Sequence, residues 1–135
     1  MEDFAGGEAS FTVTLSGIIL DPEKKKILIM RNPDGKKEWR FPQGILKAKT
    51  KIEDFLKRIF RKNLGCDIEI IGPVFSTILP ERENSLHIHY LCEIVGRNGN
   101  VDKRTELKWI SPDELKKYLG EFSESALEEY LTELV

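Results

Sequence analysis

The chain is poor in several features that would settle its class at once. Among its 135 residues are only two cysteines, Cys66 and Cys92, too few for a disulfide framework. Each sits beside apolar residues, so buried free thiols in a reducing compartment are expected. No apolar run approaches the roughly 20 residues that cross a bilayer, so no membrane partner is expected. The start, MEDFAGGEAS, has neither a cationic stretch nor an apolar core, which argues against a secretory signal or transit peptide. Residues 1–10 read as a flexible tail, and 11–135 as a single domain. A cytoplasmic protein is expected.

What the chain does have is charge, unevenly placed. The net value is only −2. From Gly44 to Cys66, however, Lys47, Lys49, Lys51, Lys57, Arg58, Arg61 and Lys62 face only Glu53 and Asp54. From Ser111 onward, seven acids oppose Lys116 and Lys117. The basic block either meets an anionic ligand or is a solvated helix face.

Strand signals come first. FTVTLSGIIL (11–20) and ILIMR (27–31) read as strands, followed by the turn NPDG (32–35) and a loop through Trp39 to Gly44. Ile52, Phe55, Leu56, Ile59, Phe60 and Leu64 recur at helical spacing, predicting a helix over 50–64. Thr50 and Glu53 form an expected capping box at its start, and Gly65 is an expected stop. Strands follow at 66–71, 73–79, 86–95 and 106–110. Ser111-Pro112-Asp113-Glu114 opens a second helix with its own capping box. A last helix, capped by Ser123, is expected to carry Leu127, Tyr130, Leu131 and Leu134 on one side. The pattern predicts an α+β fold with a mixed sheet.

Several of these segments resemble the Nudix family. Its box runs Gly, five residues, Glu, seven residues, then Arg-Glu-apolar-any-Glu-Glu-any-Gly-apolar. Laid on this chain from Gly44, the frame lands on Arg58, Phe60, Gly65 and Cys66. EWRFPQG (38–44) resembles the family's lead-in, and ELKWISPDEL (106–115) its C-terminal Trp strand and Glu-Leu helix. The resemblance implies a Nudix-type α/β/α sandwich. It also implies Mg²⁺ or Mn²⁺ held by box glutamates, bridging a diphosphate and readying water for attack on phosphorus. In this chain those four positions are Thr50, Ile59, Lys62 and Asn63.

None of the four is an acid. Hard cations take oxygen ligands, preferably anionic ones. On an ideal helix, positions 59, 62 and 63 fall within about 100° of arc, while Glu53 and Asp54 lie about 130° from its centre. Lys62 would repel a dication by several kcal/mol, an order-of-magnitude figure for short range and intermediate dielectric. The usual catalytic metal site is therefore expected to be missing and no cofactor is expected. Arg58 and Lys62 are either solvated ions or phosphate contacts, an ammonium being able to hold phosphate as a point charge.

The leading expectation is a Nudix-type domain that binds a phosphate-bearing small molecule or RNA without hydrolysis, through Arg40, Gly44, Lys47, Lys49, Arg58, Arg61 and Lys62. Gly44 is expected to hold a backbone conformation closed to other residues. An alternative is a pyrophosphohydrolase of nucleoside diphosphate derivatives, using Mg²⁺ or Mn²⁺ on the reserve acids Glu53, Glu81, Glu83 and Glu106. The third reading is a protein-interaction module, including a homodimer. His87 and His89 share one side of a strand. They are read as a hydrogen-bonded polar sheet face, because zinc would need a third ligand and Cys92 has the opposite parity. Trp39, Phe41, Phe75, Tyr90 and Trp109 form either a base-stacking wall or core.

Overall fold

Alternation decides the first strand, and the first strand organises the rest. A computed structural model describes residues 10–21, 23–32, 38–78, 84–99, 101–120 and 124–134. The expected tail over 1–9, residues 33–35 of the NPDG turn and the Ser123 cap lie outside these. In β1 (Thr12–Asp21), Leu15 and Ile19 go to one face while Ser16 and Ile18 go to the other, and all four are buried. A strand apolar on both faces needs cover on both.

β1 is central. It runs parallel to β5 (Ser85–Arg97) over Thr12–Ile19. On its other edge it pairs antiparallel with the short β3 (Gln43–Ile45) and then with β2 (Lys26–Arg31). β4 (Cys66–Ile78) flanks β5, and β6 (Glu106–Ile110) flanks β2, both antiparallel. The order is β4-β5-β1-β2-β6, with β3 added on β1. The mixed α+β sheet is as expected.

Two layers cover the sheet. On one face α1 (Ile52–Ile59) continues into a wider π-type segment, Phe60–Leu64. Phe55, Leu56, Phe60 and Leu64 pack there on Leu15, Ile19, Leu28, Ile68 and Cys92. On the other face α2 (Leu115–Leu119) and α3 (Ser125–Leu134) set Leu115, Leu119, Leu127 and Leu131 against Ile18, Ile27, Ile29 and Ile110. The result is an α/β/α sandwich. Phe60 is fully buried, and removing a side chain of that size and burial costs about 3–5 kcal/mol.

Local chemistry sets several boundaries. Gly65 ends the π-type segment in the left-handed region at φ 63°, its N–H donating to the Phe60 carbonyl. That conformation is cheap only for glycine. Ser111 and Glu114 form the expected capping box around the 3₁₀ turn Pro112–Glu114, with Pro112 at its start. The Ser111 N–H donates to Glu114 Oε1 at 2.9 Å.

Four expectations are corrected. Residues 66–71 and 73–78 form one strand, because register shifts at Asp67/Ile68, Ile70/Gly72 and Pro73/Phe75 absorb the Gly-Pro break. Residues 43–45, read as loop, are β3. In α3 only Leu127 and Leu131 are buried, since an i, i+4 pair makes a narrow stripe; Tyr130 and Leu134 stay exposed. Finally, Gly44 is absent from the positive-φ glycines, and its smallness serves packing instead.

Candidate functional site

The box segment is built on β3, the loop after it, α1 and the π-type segment. Lys51, in extended backbone, caps α1 without a side-chain bond. The expected Thr50–Glu53 box does not form: Thr50 lies one residue before the cap and donates to the Ala48 carbonyl at 3.5 Å. Glu53 instead accepts from Lys57 Nζ at 2.8 Å, one turn on. That hydrogen bond holds the Glu53 carboxyl below its usual range and raises the Lys57 ammonium.

The four positions where the family pattern places glutamates diverge in environment. Ile59 turns toward β3: a β-carbon on Gly44 would meet its Cδ1 at 3.0 Å and the Phe55 ring at the same distance. An alkyl group thus plugs the contact between helix and lead-in. Lys62 is exposed. Asn63 is half-buried, and its carbonyl accepts from the Asp102 N–H at 3.3 Å. Because 60–64 is π-type, with i to i+5 bonding, residues 62 and 63 do not keep the spacing of an ideal α-helix relative to 59.

These residues do not fit a divalent cation. One alkyl chain, one ammonium, one carboxamide and one hydroxyl supply no anionic oxygen. Among the described residues, no group of three His, Cys, Asp or Glu side chains could hold a metal. Two of the reserve acids are engaged elsewhere. Glu53 is on Lys57, and Glu106 accepts from Arg31 Nε at 2.7 Å, with Arg31 Nη2 closing a second contact. Glu81 and Glu83 lie outside the described residues.

The cations gather selectively. Asp54, Lys57, Arg58, Arg61 and Lys62 line an open cleft of about 360 Å³ along the exposed side of α1 and its continuation. Three of the expected binding residues, Arg58, Arg61 and Lys62, are therefore brought together. Arg61 also holds Asp67 at 2.9 Å, whereas Arg58 and Lys62 have no ion pair among the described residues. Lys47 and Lys49 stay exposed in the loop before α1, with Lys49 at φ 62°. Arg40 bridges to Met30 through backbone and approaches Glu38 at 3.8 Å. Lys57 was missed as a site residue, although its i, i+4 spacing to Arg61 places it on the same face.

A second polar cluster lies on the sheet face that carries Ile18. The His87 and His89 rings stack with centroids 4.2 Å apart and planes 27° apart. Ser16 Oγ bonds His87 Nε2 and donates to Gln43 Oε1 at 3.4 Å. Phe41 meets His89 edge-on at 5.5 Å, and Phe75 lies at 6.0 Å. Burial lowers His87 to about 4 and His89 to about 3, with His87 adding repulsion to the latter. The shared strand face was expected from parity. The stacking and Ser16 were not, although Ser16 was visible as a polar residue at a core-facing position.

The aromatics mostly fill core. Phe41 is buried, and Trp39 and Phe75 pack against the same cluster. Trp39 also meets Tyr118 edge-on at 6.3 Å and carries the Arg31 guanidinium 4.5 Å above its ring. Trp109 is the exception, 37% exposed. Both thiols are buried and free. No helix among the described residues is long and apolar enough to cross a membrane.

Solved structures share this arrangement. A NUDIX hydrolase from Nitrosomonas europaea superposes with TM-score 0.66 at 17% identity, over 93% of this chain and 88% of that one. A MutT structure from work on Aliivibrio salmonicida and Vibrio cholerae gives 0.69 at 15% identity, over 90% and 96%. An ADP-ribose pyrophosphatase from Streptococcus suis gives 0.67 at 20%, over 90% and 88%. At such identities the likeness speaks for the fold. No curated protein sequence matches the chain. Residues 11–130 match the NUDIX domain, which takes in the sheet, the lead-in, the box helix and most of α3, and the chain therefore belongs to the Nudix family.

Proposed function

We propose that this Nudix domain binds a phosphate-bearing ligand, a nucleotide derivative or RNA, and does not hydrolyse it. The observation that carries the reading is that Thr50, Ile59, Lys62 and Asn63 stand where the family frame expects glutamates, beside a cleft lined by Lys57, Arg58, Arg61 and Lys62 with one acid, Asp54. Loss of anionic oxygens removes the means of holding a divalent cation. The gathered cations supply electrostatic attraction for phosphate without one. Arg58 offers a guanidinium fork and Lys62 a mobile ammonium. Related folds fit such a ligand class, since one is an ADP-ribose pyrophosphatase and another a UDP-X diphosphatase.

The pyrophosphohydrolase reading gains no support from Glu53 and Glu106, each held in an ion pair. The chain's own chemistry here is binding and orientation: Arg58 and Lys62 would meet phosphate oxygens, while Arg61 divides its charge between the cleft and Asp67. Ile59 keeps the junction between helix and lead-in apolar.

The test is a low-salt titration of ADP-ribose, ATP and a short single-stranded RNA, followed through the amide spectrum of residues 40–66. Shifts concentrated at 57–62, with affinity falling as salt rises, are expected. An unmoved spectrum, or Mg²⁺-dependent turnover at rates typical of the family, would overturn the reading.

A further inference from the structure

The stacked imidazole pair, His89 buried and His87 half-buried, joins elements that the sheet ladder alone holds weakly. β3 is only three residues long and rests on β1. Its side-chain tie runs through Ser16. With its single proton given to Gln43 Oε1, Ser16 Oγ accepts from His87 Nε2–H. His87 stacks on His89, and the Phe41 ring, two residues before Gln43, stands edge-on to His89. One continuous stack thus connects β4 (Phe75), β5 (His87, His89), β1 (Ser16) and the lead-in (Phe41, Gln43).

From these contacts we infer that the stacked His87–His89 pair is an acid-sensitive latch that holds the lead-in strand on the sheet while both rings are neutral. The surroundings leave no place for an added proton. His89 is 5% exposed, and its Nδ1 has no hydrogen-bond partner among the described residues. The groups facing the pair are Ser16 and the register neighbour Thr14 from β1, Gln43 from β3, Phe41 from the lead-in, and Phe75 and Thr77 from β4. None is charged or titrates near neutral pH, so among the described residues each ring's titratable neighbour is the other ring. A cation on His89 is buried unpaired, one on the half-buried His87 faces no anion among the described residues, and each lies against its partner at stacking distance.

The direction follows from linkage. Both imidazoles are depressed by burial from 6.5, to about 4 and about 3. Their contribution is complete above about pH 6.5 and is lost as pH falls toward those values. The part released first is the lead-in, held by three β3 residues and by the backbone bonds Gly17 N–H to Pro42 O at 2.9 Å and Leu46 N–H to Val13 O at 2.8 Å. Release uncovers Gln43 and Gly44, and through Gly44 the contact with Ile59. This latch does not depend on the proposed ligand.

Hydrogen exchange of the whole chain tests it, corrected for intrinsic rates. Between pH 7.5 and pH 5, protection at the Gly17 and Leu46 amides is expected to fall about 30-fold if opening frees the His89 imidazole alone, and by about the square of that if it frees both. The β2–β6 ladder amides should keep their protection. His89→Phe, which keeps a flat ring and removes a proton site, should reduce the lead-in dependence by about 30-fold. Should that variant not fold, imidazole titration of the natural chain decides, since both rings must titrate well below 6.5 in step with lead-in shifts. Lead-in protection that ignores pH, a loss shared equally by the β2–β6 ladder, an unchanged slope in His89→Phe, or imidazoles titrating near 6.5 would each overturn the latch.

Discussion

Ile59 and Gly44 meet so closely that a β-carbon on the glycine would stand 3.0 Å from the isoleucine Cδ1. Ile59, aligned with a glutamate of the family pattern, and Gly44, where the box frame was laid, are thus in apolar contact. Gly44→Ala is expected to cost about 1–3 kcal/mol through overpacking. Combined with Ile59→Ala, the loss should be smaller than the sum of the two single losses by about 0.5–3 kcal/mol. Urea unfolding of the four proteins measures this, and strict additivity would mean that the two side chains do not share the space.

Returning acids to the frame tests the metal argument. A chain carrying Glu at 50, 59, 62 and 63 is expected to bind Mn²⁺ at least about tenfold more tightly than the natural one, or ~1.4 kcal/mol, by calorimetry. No gain would indicate that the π-type segment aims positions 62 and 63 away from 59.

Charge reversal separates binding from folding. Arg58→Glu with Lys62→Glu should weaken low-salt binding of ADP-ribose or RNA by more than about tenfold. Both side chains are exposed and without an ion pair among the described residues, so stability should change by only about 0.5 kcal/mol per site. Unaltered affinity in that double variant would move the ligand off this face.

The thiols offer a reading of burial. Cys92 is pushed up to about 12 by desolvation, and Cys66 is raised for the same first reason. The reactive species is the thiolate, so at pH 8 the folded chain should resist a thiol reagent that labels both cysteines rapidly in urea. Fast labelling of the native protein would show that the core opens readily.

Where a signal is local, the sequence predicts this structure closely. Strand 106–110, the Ser111–Glu114 box with Pro112, and the Gly65 stop all lie where turn chemistry and alternation put them. β3 carries no pattern of its own in three residues and exists because β1 offers an edge. Thr50–Glu53 had capping spacing, but the helix begins two residues after Thr50 and Lys57 takes the carboxylate. The site was legible as a block of cations, not as a geometry. Which of them are occupied depends on partners such as Asp67 for Arg61, fixed by the path of β4. For the reserve acid Glu106 the partner is Arg31, 75 residues away. The stacking of His87 on His89 likewise needed tertiary walls, Phe41 and Phe75, that parity cannot reveal.

The strand at one edge of the sheet, β4, runs for thirteen residues and breaks register three times, twice around Gly72 and Pro73. A proline has no N–H to give, and each irregularity twists the rim out of line. A neighbouring molecule therefore finds no straight ribbon on which to add its own strand. At this rim, copies of this protein that associate do so through side-chain surfaces, and strand-to-strand addition is left to the short opposite edge, β6.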